Sequence, residues 1–303
     1  MEPKVSIVIP TFNRAVMLER LLLSVDSSSY KNIELIVVND CSTDDTLNML
    51  KRIQKIISHE IIIINNEVNR NLSASRNIGM KSANGIYIFL IDDDNVLNTS
   101  CISALVTVLE KNSDVGMVGP VMYFFSSKEE IWWAGTRRNM TTSRTFFIGR
   151  DIPMPNTDTW ETDDFPNAWM FRSSIVKMGI VLDESFVIHY DESDFAMRVQ
   201  NFFKYYFLVV KNAKIYHDVE SDCSESMSRR WLDTKRVFYT ARNRIIFQKK
   251  YAKPFQYLAF ILFWNWIFTI YYLNFIFQIP KANNKDRFKS SIAYIKGVFS
   301  GLN

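Results

Sequence analysis

Three carboxylates stand in a row at Asp92-Asp93-Asp94, directly after the apolar run Ile86–Ile91. Charges this close repel one another unless a cation offsets them. Two carboxylate oxygens suit Mg²⁺ or Mn²⁺, ions that keep water and accept diphosphate oxygens as further ligands. A solvated acidic turn or a helix cap is the other reading of such a cluster. Two more polar segments follow apolar runs in the same way, Pro10-Thr11-Phe12-Asn13-Arg14 after Val5–Ile9 and Asn39-Asp40-Cys41-Ser42-Thr43-Asp44-Asp45 after Ile33–Val38. Neither GxGxxG nor GxxxxGK[ST] occurs, so a standard dinucleotide fold and a P-loop NTPase lose their main signal.

The elements that must position these residues are legible in the hydropathy pattern. Val5–Ile9, Ile33–Val38, Ile61–Ile64, Ile86–Ile91 and Val115–Val118 are nearly continuous apolar, β-branched runs, as expected of parallel strands covered on both faces. Met17-Leu18-Leu21-Leu22-Val25 and Leu47-Leu50-Ile53-Ile57 have helical spacing. The alternation predicts an α/β fold with a doubly wound, mostly parallel sheet. Ligands in such sheets bind beyond the carboxyl ends of the strands, where the polar segments converge. From about residue 123 to 165 the pattern loosens and gains Trp, Arg, Thr and Pro, which predicts an irregular excursion or small sheet able to carry specificity. Regular structure resumes at Asn167–Phe171, followed by helices over Asp191–Phe203 and about Arg229–Lys250.

Read in order, the motifs resemble glycosyltransferase family 2. The matching stretches are Val5 to Arg14, Glu34 to Asp44, and Asn69-Arg70-Asn71-Leu72-Ser73-Ala74-Ser75-Arg76-Asn77-Ile78-Gly79. Then come Asp92–Asp94, Asn167 to Arg172, Leu182 to Phe186 and Tyr190 to Arg198. The resemblance covers about residues 4–250 and implies a GT-A fold, a nucleotide-diphosphate sugar donor and transfer with inversion. By position it places Pro10, Thr11, Asn13 and Asp40 at the nucleoside, with Asp40 facing the base. Arg76 falls near the nucleotide, and Asp92 and Asp93 near ribose and diphosphate. Asp94 is the implied ligand of a Mg²⁺ or Mn²⁺ cofactor. His217 fits a second metal contact, or else is a hydrogen-bonded core histidine.

Several positions depart from the family's pattern. Where Glu-Asp-x-Asp is usual, this chain reads Asp191-Glu192-Ser193-Asp194. Counting back from Arg198 puts the catalytic base at Glu192, with Asp191 as rival, because the longer side chain moves the oxygens by more than an ångström. Both carboxylates could instead only cap the helix. Asn39-Asp40-Cys41 stands where Asp-Asp-Gly is commoner. Met227-Ser228-Arg229-Arg230-Trp231 only partly resembles the QxxRW element of processive synthases, which favours single-sugar addition over polymerisation. Trp132-Trp133 could stack on a sugar ring, pack in the core or face a membrane.

Composition sets the frame. The chain has 303 residues, 48% hydrophobic and 22% charged, enough apolar material to exclude disordered and low-complexity classes. Three cysteines without a CxxC argue against a disulfide framework or structural zinc. From Arg229 onward, 14 Lys/Arg stand against Asp233 and Asp286, whereas the rest carries 22 basic and 30 acidic residues. An acidic body argues against nucleic acid as a partner, and the basic tail favours an anionic membrane surface over an unpartnered solvated helix. Phe255–Ile279 is uncharged and contains Tyr257, Trp264, Trp266, Tyr271 and Tyr272. As a helix of ~37 Å it is long enough to cross a bilayer. A single span, an interfacial element and an ordinary packing helix all remain open, since basic residues flank both ends.

The start Met1-Glu2-Pro3-Lys4 gives no signal-peptide pattern, which predicts a cytosolic body. The expected layout is a glycosyltransferase domain over 1–250, with a nucleotide-sugar half at about 1–120 and an acceptor half at about 121–228. A hydrophobic helix and basic tail follow over 251–303. The expected activity is that of a hexosyl- or deoxyhexosyltransferase at the cytoplasmic face of the cell membrane, acting on a hydroxyl of a lipid-linked or cell-envelope glycan. Transfer to polyprenyl phosphate, and a catalytically silent scaffold of the same fold, are the competing readings. An already ionised phosphate acceptor needs no base, so the carboxylates near 191–192 favour a hydroxyl acceptor. Sugar, nucleotide base and oligomeric state are not specified by these patterns.

Overall fold

A computed structural model describes residues 2–219, 230–279 and 282–303. The chain divides into two units, one comprising 1–137, 147–184 and 195–219, the other 138–146, 185–194 and 220–303.

The first unit is an α/β sheet. Its strands are β1 (Val5–Thr11), β2 (Ile33–Asn39), β3 (Glu60–Asn65), β4 (Tyr87–Ile91), β5 (Asn95–Leu97), β6 (Val115–Phe124), β7 (Ile131–Trp133), β10 (Thr159–Glu161), β11 (Ala168–Arg172) and β12 (Tyr206–His217). The main path runs β10-β12-β6-β11-β4-β1-β2-β3, with β5 on β12 and β7 on β6. Pairing is parallel across β4-β1-β2-β3 and between β6 and β12, and β11 lies antiparallel between β4 and β6. All residues of β1, β2 and β4 are buried, which is why their runs are apolar without alternation. β8 (Thr136–Asn139) and β9 (Arg144–Phe147) form a separate pair. The loosened segment is therefore built of short strands, two of which extend the main sheet.

Helices α1 (Ala15–Asp26), α2 (Thr46–Ile53), α3 (Leu72–Lys81), α4 (Cys101–Lys111) and α5 (Ser174–Lys177) belong to this unit. α1 buries Leu18, Leu21, Leu22 and Val25, the stripe expected from spacing. α3 approaches β1 and β2 at Gly79, where any Cβ would run into Val8 and press on Val38. That close approach brings Arg76, one turn earlier, toward the strand ends. α2 is shorter than the Leu47–Ile57 pattern, and β4 begins at Tyr87 because Ile86 is exposed.

Helix α6 (Asp191–Phe203) gives its first four residues to the second unit and the remainder to the first. The second unit further contains α7 (Thr234–Tyr251), α8 (Pro254–Ala259), a π-helical turn Phe260–Trp264, α9 (Asn265–Gln278) and α10 (Asn284–Leu302). Asp233 caps α7 by accepting from the backbone N–H of Lys235 and Arg236. Its core joins Val237, Ala241 and Ile245 of α7 to Phe260, Tyr272, Ile276, Tyr294 and Val298.

Candidate active site

Sheet register decides which strand ends meet. Thr11 pairs with Asn39 at the ends of β1 and β2, and Ile91 pairs with Ala168 at the end of β4. At the far end of β12, His217 pairs with Asn95 of β5 and Phe124 of β6. The carboxyl edge of the sheet thus collects Thr11, Asn13, Asp40, Asp92–Asp94 and His217 in one unit, as the rule for open α/β sheets requires.

The acidic cluster is tied together by polar partners. Thr11 Oγ1 donates to Asp93 Oδ2 at 2.6 Å, and Arg14 Nη1 lies 3.0 Å from Asp93 Oδ1 and 3.1 Å from Asp94 Oδ2. Arg76, fully buried, pairs with Asp92 at 2.6 Å and lies over the Trp169 ring. Asp93 and Asp94 are themselves buried, in contrast to an acidic turn open to solvent. Burial pushes the Asp93 carboxyl up to about 7, with Asp94 adding to the rise against Arg14 and Thr11. Burial also opposes the Asp94 charge, but His217, Arg14 and Asn167 together hold its carboxyl below the ordinary value. Adjacent aspartates therefore differ in kind: Asp94 is the more readily ionised.

Asp94 Oδ1 is 3.4 Å from His217 Nε2, and Asn167 Nδ2 bridges them at 3.3 Å and 3.0 Å. Asn167 and Asp94 thus meet the same ring nitrogen, and imidazole is a common metal ligand. The His217 Nδ1 is buried without a hydrogen-bond partner among the described residues, and Trp132 sets its edge against the ring at 4.2 Å between centroids. Among the described residues no group of three His, Cys, Asp or Glu side chains could hold a metal. Asp94 and His217 would hold a Mg²⁺ or Mn²⁺ ion only with further ligands, which diphosphate and water would supply.

Asp40 accepts from Asn66 Nδ2 at 2.7 Å and from the Arg70 backbone N–H at 2.8 Å. Asn13 holds the next loop, its Oδ1 accepting from the Thr43 N–H at 2.7 Å. Cys41, where glycine is commoner, has φ 64°. That left-handed conformation costs an ordinary side chain about 1 kcal/mol and explains the family's glycine. Pro10 is the penultimate residue of β1, and its ring leaves the adjoining strand end fixed.

Sequence reasoning missed Arg14, Asn66 and Asn95. The Asn95 amide donates to Asn167 Oδ1 at 2.6 Å and to the Asp92 carbonyl at 2.9 Å. Arg14 and Asn95 sit beside the motifs that were read, but nothing local tells that their side chains turn inward. Of the tryptophan pair, Trp133 is core, donating to Thr136 Oγ1 at 2.9 Å, and Trp132 is the one at His217.

Asp191 and Glu192 lie in the second unit, in the first turn of α6 together with Asp194. Asp194 is held by Lys250 Nζ and Tyr251 OH, each at 2.6 Å. Asp191 is buried, whereas Glu192 keeps partial access to solvent. The two residues before the helix, His189 and Tyr190, both have positive φ, 61° and 71°. Consecutive left-handed non-glycine residues store strain of the kind found at functional sites. Of the processive-synthase element, Met227, Ser228 and Arg229 lie outside the described residues, as do Cys223 and Pro280.

His189 makes this turn acid-sensitive. Its Nε2 is covered and has no hydrogen-bond partner among the described residues. Burial, with Arg236 and Arg244 acting the same way and Glu192 opposing, pushes the imidazole down to about 4 from 6.5. Between those values the unfolded chain binds a proton that the folded chain does not, so stability falls as pH drops through the window. His189→Asn, which tolerates positive φ, should lose about 2 kcal/mol less than the parent between pH 6.5 and 4.5 in urea titrations. Equal losses would mean that His189 is protonated in the fold.

Comparison with known proteins agrees with this geometry. Residues 6–179 match glycosyl transferase family 2, more than half of the chain, and the chain belongs to that family. It is 33% identical over 103 residues to the GalNAc(5)-diNAcBac-PP-undecaprenol beta-1,3-glucosyltransferase of Campylobacter jejuni, covering 34% of this chain and 33% of that protein. It is 33% identical over 117 residues to the poly(ribitol-phosphate) beta-N-acetylglucosaminyltransferase TarP of Staphylococcus aureus, covering 37% and 35%. The chain thus spans about a third of the length of these curated relatives. Among solved structures it resembles the mannosyltransferase PcManGT of Pyrobaculum calidifontis in complex with GDP-Man and Mn²⁺. The TM-score is 0.64 at 13% identity, over 100% of this chain and 88% of that one, a likeness of fold. The fold is of the GT-A type.

Proposed function

We propose that this protein is an inverting glycosyltransferase that moves a sugar from a nucleotide-diphosphate donor to a hydroxyl of a lipid-linked or cell-envelope glycan. The observation that carries this is the gathering of Asp40, Asp92, Asp93, Asp94 and His217 at the carboxyl edge of one sheet. Thr11, Asn13 and Asp40 hold the nucleoside in this reading, with Arg76, Asp92 and Asp93 toward ribose and diphosphate. Asp94 and His217 would hold a divalent ion, whose charge would offset that of the departing diphosphate. Glu192 takes the proton from the acceptor hydroxyl as its oxygen bonds to the anomeric carbon. The bond to the diphosphate breaks on the opposite face, which inverts that carbon. Asp191, being buried, is the weaker candidate for this work.

The relatives, whose names specify undecaprenol-linked and poly(ribitol-phosphate) substrates, support this acceptor class. The uncharged helix Pro254–Gln278, long and apolar enough to cross a membrane, supports work at the cytoplasmic face of a membrane. The test is a thermal-denaturation screen of nucleotide-sugars with Mn²⁺ or Mg²⁺. A donor at a hundred times its Kd should raise Tm by about 5 °C or more, because a ligand that binds only the native state stabilises it. If no nucleotide-sugar shifts Tm with either metal, the donor assignment is wrong.

A further inference from the structure

The uncharged run does not stand free of the second unit. One face of the helix, formed by Phe260, Asn265, Thr269, Tyr272 and Ile276, is buried. The π turn adds one residue between Phe260 and Asn265 and so keeps the packed stripe in line. Tyr272 stacks on Tyr294 of α10 at 4.1 Å and donates its hydroxyl to the Trp231 carbonyl at 3.1 Å. Arg244 of α7 lies over the Phe268 ring at 4.6 Å. The opposite face is apolar and exposed along the whole length, through Leu258, Leu262, Phe263, Ile267, Ile270 and Phe277.

Helix α10 repeats the design in sharper form. At about 100° per residue, its faces can be placed in turn around the axis. Gly297 and Gly301 abut α7, where an added Cβ would strike the Phe238 and Arg242 carbonyls. Next come Tyr294 and Arg287, which reach Tyr272 of the preceding helix and the Ile279 carbonyl just past its end. Then follow Phe288, Ile292, Ile295 and Phe299, all exposed and within about 60° of arc. Lys285, Lys289 and Lys296 occupy the adjoining arc. An apolar stripe beside the neighbouring helix's flank, edged by a row of lysines, is the pattern of a helix lying in a bilayer interface.

We infer that α8–α9 and α10 dock flat on an anionic lipid surface, with their outer apolar faces in the acyl boundary and the α10 lysines against lipid phosphates. This rests on the membrane reading proposed above and decides between spanning and lying on the bilayer. A span would have to leave the folded unit for about 30 Å, yet this helix is packed from Phe260 to Ile276. Taking it across would drag Arg244 of α7, which lies over the Phe268 ring, into hydrocarbon, where charge is costly.

Full-length protein, with Cys41 and Cys223 changed to Ser and Cys101 left buried, can carry a nitroxide at Leu258, Ile267, Phe277 or Ile292. On vesicles of phosphatidylcholine with phosphatidylglycerol, all four labels should report one shallow depth of about 5–10 Å. A label at Ile267 near mid-bilayer, with Leu258 and Phe277 toward opposite faces, would overturn the inference in favour of a span. Replacing Lys285, Lys289 and Lys296 by Gln should weaken binding to anionic vesicles about 100-fold and leave binding to neutral vesicles unchanged. Ile292→Glu with Phe299→Glu should weaken both. Absence of binding to either vesicle, or a dimer in buffer that protects Ile292, would also overturn it. Donor-induced thermal shifts on the same samples separate this outcome from failure of the transferase reading.

Discussion

Glu192→Gln is expected to lower sugar transfer about 10³-fold while leaving nucleotide-sugar affinity unchanged. Proton abstraction matters only as the new glycosidic bond forms, so a lost base lowers kcat and not donor binding. Burial supports the proposed choice of carboxylate. Asp194 is committed to Lys250 and Tyr251, and Asp191 is buried at the start of the helix. Glu192, on the same turn, is the one with access to solvent. Transfer of radiolabelled sugar, read beside equilibrium titration of the donor, checks both halves of the expectation. If Asp191→Asn shows the large loss and Glu192→Gln stays active, the two residues exchange roles. If neither loses more than a few-fold, the acceptor is one that needs no base.

Asp94→Asn should weaken divalent-dependent donor binding by at least about 100-fold and abolish the difference between metal-free and metal-loaded donor titrations. Loss of a ligand costs at least as much as the 10–100-fold typical of outer-shell partners. Asparagine keeps the shape, but Asp94 is buried and bonded, so the variant is not silent for the fold. Its Oδ2 partner Arg14 retains Asp93, and removal of one carboxylate eases the repulsion between neighbours. Stability should therefore change little compared with donor binding, a distinction that parallel urea titrations can draw. Unchanged metal dependence in the variant would show that the ion sits elsewhere.

The site is legible in the chain to different depths. Pro10, Thr11, Asn13, Asp40 and Asp92–Asp94 could be found because each follows an apolar run, and strand ends are where such sheets bind ligands. His217 could be singled out only by resemblance, since one histidine after a strand carries no local signal. Arg14 was in plain view, yet its pairing with Asp93 and Asp94 depends on β1 and β4 being neighbours. Asn167 reaches Asp94 because β11 inserts antiparallel beside β4, a pairing that hydropathy does not encode.

By itself the sequence determined the runs that form β1 to β4 and β6, helix α6, the buried stripe of α1 and the places where polar chain leaves the sheet. Those follow from local periodicity, because burial on one or both faces imposes its own spacing of apolar residues. Only the tertiary structure decided which strand ends adjoin, which of the neighbours Asp93 and Asp94 ionises more readily, and which of two tryptophans meets His217. It also decided that the uncharged run packs one face against α7 and α10. An apolar segment of that length fits a span, a core or an interface equally well, and partners far along the chain select among them. Register, burial and side-chain direction are properties of those distant pairings, and no window of sequence contains them.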